Sequence, residues 1–219
     1  MDFNKTKLIA VIIVLLLISF AMSLAFYNEL PEEIITHWNS AGEANGYMSK
    51  EIGLFLVPII GIIITLVLLA VPMIDPLKKN IQTFIKYYNL FILIMLGFLL
   101  YIHAITILAN LGYDINIGQL LSPAIGVLFF FVGVLIGHVK KNYTIGIRTP
   151  WTLASEKVWD KTHEKGKTLF KASGVICFFG LIIPEYAFWF ILAPIFVSVI
   201  YLFIYSYVEF QNEDIHKKK

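Results

Sequence analysis

The sequence predicts an all-α, polytopic integral membrane protein with six transmembrane helices and both termini in the cytoplasm. Three observations predict it. Hydrophobic residues fill 58% of the 219 positions, at a mean hydropathy of +0.79, which leaves too little polar surface to cover a water-soluble globule. Those residues collect into six runs, most of them close to the length of about 20 residues that a helix needs to cross hydrocarbon. Threaded onto six spans, the basic residues fall almost entirely on one side, and cationic segments resist translocation.

The runs are 8–26, 52–74, 87–109, 120–139, 169–183 and 187–208. The first follows Lys5 and Lys7 and is longer than the apolar region of a cleaved leader, so it reads as a retained span. Pro58 and Pro72 in the second, Pro123 in the fourth and Pro194 in the sixth are read as kinks or helix starts. The fourth also carries Gly133 and Gly137 as a GxxxG pair, with Gly126 two turns earlier. Small residues at that spacing let helix backbones approach closely, within the monomer or across a homodimer face.

The fifth run is short, since 15 residues reach only about 22 Å. Snorkelling by Lys167 and Lys171 at one end, with Pro184-Glu185-Tyr186 at the other, extends it. A re-entrant hairpin is the rival, but it would strand Lys217, Lys218 and Lys219 outside. The bundle divides into residues 1–55 (first span and outer loop), 56–119 (second and third spans) and 120–210 (the remainder).

With six spans, Lys50 is the one basic residue outside, whereas Glu29, Glu32, Glu33, Glu43, Glu51, Asp114 and Glu185 all lie there. The formal net charge of +2 therefore hides a polarised molecule whose basic inner face attracts anionic membrane lipids. Direct nucleic-acid binding would need a basic folded domain and is not predicted. The single cysteine, Cys177, allows no disulfide and no thiolate metal site.

Two polar segments interrupt this apolar chain. The outer loop, 27–51, holds the turn formers Gly42, Asn45 and Gly46, and the amphipathic rings of Trp38 and Tyr47 suit headgroup depth. The inner segment, 142–166, reads NYTIGIRTPWTLASEKVWDKTHEKG. Thr149 and Pro150 form a helix start. From Trp151 onward, Ser155, Val158, Trp159, Thr162, His163 and Gly166 share one face, and Glu156, Lys157, Asp160, Lys161, Glu164 and Lys165 the other. The pattern predicts an amphipathic interfacial helix lying in the membrane plane before turning into the fifth span.

Arg148 is the only arginine beside sixteen lysines, so its planar fork of donors reads either as a clamp on the loop or as a contact for a ligand or partner. Glu156 and Asn142 are its near neighbours in sequence. His163, beside Trp159 on the buried face, reads as a hydrogen-bonded structural residue. The other histidines show no ligand spacing. His103, alone inside a span, marks a candidate proton or ion path. No phosphate loop, GxSxG or carboxylate pair signals an enzyme, and no cofactor is predicted.

Asn142, Gly146-Ile147-Arg148-Thr149-Pro150-Trp151-Thr152, Ser155-Glu156, Trp159 and Thr162-His163 together resemble the signature of the SdpI family, multi-span prokaryotic membrane proteins named after an immunity factor against a secreted toxin peptide. Upstream, Thr36-His37-Trp38-Asn39, Gly42 and Gly46-Tyr47 resemble the short domain of unknown function that often precedes it, with Ile35 and Asn45 where that pattern usually has Pro and Asp. The resemblance implies immunity in a cell membrane, by binding rather than turnover. Thr36, His37, Trp38, Gly42, Gly46, Tyr47 and the adjoining span mouths would engage a toxin peptide. Asn142, Gly146, Arg148, Thr149, Pro150, Trp151, Glu156, Trp159 and His163 would stabilise or report the bound state, with a repressor-type protein as inner partner. A small-solute or ion transporter is the alternative, and a structural or lipid-binding protein a third.

Overall fold

A computed structural model describes residues 5–217; Lys218 and Lys219, part of the expected basic tail, lie outside the described residues. The chain is a helical bundle of α1 (Lys5–Phe26), α2 (Lys50–Ile74), α3 (Lys78–Thr83), α4 (Ile85–Asn110), α5 (Ile117–Ile136), α6 (Pro150–Ala154), α7 (Glu156–Cys177) and α8 (Ala187–Lys217). The all-α expectation needs one correction. The loop between α1 and α2 folds into an antiparallel hairpin, β1 (Glu33–Trp38) and β2 (Ala44–Ser49).

The hairpin has local causes. Ile34, Ile35 and Thr36 are β-branched and favour extended backbone. At the turn, Asn39 Oδ1 accepts the backbone N–H groups of Ala41 and Glu43 at 2.9 and 3.0 Å, while Gly42 takes a φ of +83° that L side chains rarely adopt. Ile34 is buried against Leu30, Leu54 and Ile107. Asn110, at the end of α4, fixes the strand to the bundle: its Oδ1 accepts from Ile35 N–H at 2.7 Å and its Nδ2 donates to Ile35 C=O at 3.0 Å.

The long helices alternate in direction between this hairpin end and an opposite loop end. Leu8 and Ile12 of α1 pack at the loop end with Ile81, Phe84, Tyr88, Val139 and Trp159. The last turns of α8 reach the same end, where Ser155 donates to Glu213.

α5 and α7 lie antiparallel at a separation that only glycine permits. A Cβ on Gly174 would stand 2.6 Å from both Gly126 C=O and Phe130 N, and one on Gly133 would stand 2.8 Å from Lys171 N. The glycines of the fourth run thus serve packing inside the monomer. Gly137 meets Lys167, Gly126 meets Gly174, and Gln119 Nε2 donates to Leu181 C=O at 2.9 Å. Residues 167–181 accordingly run the whole length of α5, helped near the end by the 3₁₀ turn Phe178–Leu181, whose rise is about 2.0 Å per residue.

Five stretches are long and apolar enough to cross a membrane by length and composition: Lys5–Phe26, Lys50–Ile74, Ile85–Asn110, Ile117–Ile136 and Pro184–Glu213. The predicted fifth run is not among them, because its apolar part forms one helix with a polar half. α7 continues without interruption from Glu156 to Cys177, so the amphipathic segment and the apolar run form one helix. The break falls earlier, at Ser155, whose extended backbone ends α6 and caps α7.

Opposite signs are expected for two helix glycines. Gly174→Ala forces backbone against backbone and should lower stability by about 1–3 kcal/mol. Gly97→Ala has open space around its Cβ and should raise stability by up to about 1 kcal/mol. Thermal unfolding of the detergent-purified proteins, with monodispersity by gel filtration, measures both.

Candidate functional site

The loop after α5 reverses the chain while largely covered by helices, so its backbone polar groups need partners from side chains. The sequence supplies them. Asn142, fully buried, accepts through Oδ1 from Thr144 N–H at 2.9 Å and Ile145 N–H at 2.6 Å, and donates through Nδ2 to Lys140 and Ile145 carbonyls. Asp75, just beyond α2, is 2% exposed and accepts from Tyr143 N–H at 3.0 Å and Thr144 Oγ1 at 2.7 Å. Asn80 donates to Lys141 C=O. Asp75 and Asn80 thereby tie the α2–α3 turn to the motif loop.

The motif's centre is His163. Its Nδ1 lies 2.8 Å from Trp159 C=O, and its Nε2 lies 3.0 Å from Ile147 N–H. A carbonyl can only accept and an amide N–H can only donate, so these partners fix the neutral imidazole with its proton on Nδ1. Gly146, at φ +113°, lets the backbone come in: a Cβ there would stand 2.5 Å from Nε2. Trp159 stacks on His163 at 4.0 Å between centroids, donates Nε1–H to Val139 C=O at 3.1 Å, and is 1% exposed.

Thr149 and Thr152 form a capping box around Pro150 at the first position of α6. Thr149 Oγ1 also donates to Ser206 of α8 at 3.0 Å, and Trp151 meets Phe203 and Tyr207 edge to face. Arg148 is exposed and donates from Nη1 to Tyr143 C=O at 2.6 Å; among the described residues it forms no ion pair with Glu156. Glu156 is exposed in the first turn of α7, where a negative charge favours the helix dipole. Thr162 Oγ1 is buried without a hydrogen-bond partner.

The hairpin end holds a different feature, a cavity of about 890 Å³. Thr36, His37, Trp38 and Gly42 of the predicted outer site form its roof, together with Asn39, Ser40 and Ala41. Gly53, Leu56 and Val57 of α2 and Ile102 and Thr106 of α4 line one wall. Leu121 and Ile125 of α5 and Phe188 and Ile191 of α8 line the other. Gly46 and Tyr47 do not line it: Gly46 packs directly against His37, whose Cβ would stand 2.8 Å from a Cβ at that position, and Tyr47 is 53% exposed. None of the nine inner motif residues reaches this cavity.

Sequence reasoning missed Asp75, Asn80, Asn110 and Ser206. Asp75 carried one signal, an Asp-Pro step closing an apolar run, which marks a turn but not its distant partner. His103 is 1% exposed, and its Nε2 lies 3.0 Å from Ser23 Oγ, which also donates to Leu54 C=O. This joins α1, α2 and α4.

These observations define a helical membrane protein with a cleft at its hairpin end and a hydrogen-bonded loop clamp at the other. The chain belongs to the SdpI/YfhL protein family. The family model matches residues 138–206, and the Domain of unknown function (DUF1648) matches residues 14–62. Immunity protein SdpI of Bacillus subtilis (strain 168) is 32% identical over 155 residues, covering 71% of each chain. No solved structure matches the chain.

Burial holds the His163 imidazole down to about 4, from 6.5 when free. Above 6.5 both states are neutral there and the contribution is complete. Between 6.5 and 4 the unfolded chain takes a proton that the folded one refuses. Stability should then fall with pH by at most about 1.4 kcal/mol per unit from this group. Thermal midpoints at pH 7.5, 6 and 5 should show the gap between wild type and His163→Gln narrowing on acidification.

Proposed function

We propose that this protein confers immunity in a prokaryotic cell membrane by binding a secreted antimicrobial toxin peptide at its hairpin end. The single observation that carries the reading is the cleft of about 890 Å³ under the hairpin, near the upper end of the roughly 300–1,000 Å³ typical of ligand sites. Its walls are apolar and its mouth carries Ser40, Asn116 and Glu185. That chemistry suits a partly apolar ligand arriving from water. The 32% identity to an immunity protein supplies the biological class.

Orientation follows from charge. Lysines crowd the loop end, and among the described residues Lys50 is the only one near the hairpin, so the hairpin faces outward and the termini inward. The number of crossings follows from α5. If that helix spans the hydrocarbon, then residues 167–181 beside it span the same thickness, which makes six. Lys167 and Lys171 sit where their stems can run along apolar surface to the inner interface. The protein works by holding its ligand, with no turnover. The inner face, where Arg148 leaves most of its guanidinium donors unused, is the natural docking surface for a repressor-type cytoplasmic partner.

The test is survival of toxin-sensitive bacteria under graded doses of the peptide, at matched membrane levels. Wild type should protect. Leu121→Trp, which fills the cleft, should lose protection by at least about tenfold in tolerated dose, because a filled site forfeits more than about 1.4 kcal/mol of binding. Arg148→Ala should still protect. Protection by Leu121→Trp with loss in Arg148→Ala would move the binding event to the loop end and overturn this reading.

A further inference from the structure

The chemistry of the cleft narrows its ligand further. Glu185 is the one carboxylate lining it, and it is exposed at the mouth in the short 3₁₀ turn before α8, while the His37 imidazole of the roof has its Nδ1 engaged with Asn45 Oδ1 at 2.6 Å. Among the described residues it forms no ion pair. Among the described residues the hairpin end holds a single lysine, Lys50, and that one is already engaged: its Nζ lies 2.8 Å from Glu32 and 4.8 Å from the Tyr27 ring centroid. Glu33, Glu43 and Asp114 stand at the same end without ion pairs among the described residues. Among the described residues the mouth therefore carries carboxylates and no unpaired lysine or arginine to meet an anionic ligand, while Leu121, Ile125 and Ile191 below it offer only carbon.

We infer that the cleft takes a peptide segment that is apolar with a cationic head, its lysine, arginine or amino terminus against Glu185 and its apolar part between α2 and α8. This deepens the immunity reading and rests on it for the biological origin of the peptide. An acidic or uniformly apolar peptide is disfavoured, the first by like-charge repulsion at the mouth and the second by leaving Glu185 without a partner at the rim of an occupied site. A cationic peptide is also drawn toward this end before contact, so the effect should weaken with salt.

The probe is a pair of synthetic Leu/Ala peptides, dye-labelled at the C-terminus, one headed by two lysines and the other by two glutamates. Binding to the full chain in nanodiscs of zwitterionic phosphatidylcholine is read by anisotropy, with binding to empty nanodiscs subtracted. The lysine peptide should bind more tightly. Glu185→Gln should cut that preference about threefold to fivefold, the size of one exposed ion pair, and Glu185→Lys should reverse it. Leu121→Trp should abolish binding of both. Equal affinities, or a preference that Glu185→Gln and Glu185→Lys both leave unmoved, overturns the inference. So does a co-purified phospholipid that is lost in Leu121→Trp and that neither peptide displaces, because it makes lipid the occupant. The two readings fail separately. A charge preference retained without protection in the survival assay sinks immunity alone, and protection indifferent to Glu185→Lys sinks the cationic ligand alone.

Discussion

The hydrogen bond from Ile147 N–H to the neutral imidazole of His163 is the interaction on which the loop end depends. An amide donor buried in that turn without a partner would cost about 1–3 kcal/mol, and the acceptor that meets it is not backbone but a ring nitrogen from α7. Several residue identities follow from that one choice. Gly146 must lack a Cβ because the ring fills the space, Trp159 must offer its carbonyl to hold the tautomer, and burial keeps the ring uncharged. Once Ile147 is tied to His163, the chain leaving α5 is pinned to the helix that comes back along it. The glycines of α5 and α7 can then settle into contact at a distance that leaves no room for error in register.

Much of this was legible in the sequence, for reasons that depend on each element. Long apolar runs announce spanning helices because only intrahelical bonding satisfies the backbone in hydrocarbon, and α1, α2, α4, α5 and α8 sit where those runs lie. The face shared by Val158, Trp159, Thr162, His163 and Gly166 is buried as its 3.6-residue period requires. The helix stop at Ser155 was hidden because Ser in mid-pattern is compatible with a helix; what halts α6 is tertiary, the bond from Ser155 to Glu213 of α8. The hairpin was hidden because alternation in 33–38 is weak, and its docking comes from Asn110, far along the chain. Asp75 was hidden for the same reason, since a single polar residue after an apolar run says nothing of the loop 68 residues later that it holds.

The residues most characteristic in spelling and the cavity best suited to a ligand lie at opposite ends of the bundle. This is physically coherent. Residues 5–110 and 117–217 meet through α4 and α5 along their length and through Asp75, Asn80 and Trp159 at the loop end. At the hairpin end the same two halves stand apart, and the space between them is the cleft. The motif residues thus serve the packing of the two halves at the loop end, and the cleft opens where no such clamp joins them.

Polar side chains inside the helices bear on the difference between holding a ligand and passing one. A pathway through the bundle would need such groups free to face a solute in succession. Here they are occupied with one another. Ser23 bridges His103 and the Leu54 carbonyl, Ser173 meets Ser198 at 3.1 Å, Thr65 returns to Gly61, and Ser122 donates to the Cys177 carbonyl. Each is a crosslink between helices or within one, of the kind that holds membrane bundles together where hydrophobic burial alone gives no preference. The cleft, in contrast, is lined on its helical walls mainly by carbon, from Leu56, Val57, Ile102, Leu121, Ile125, Phe188 and Ile191. Serine and histidine side chains within the helices are thus spent on fixing helix against helix, and the open space of the molecule lies at the hairpin end, where carbon dominates the lining.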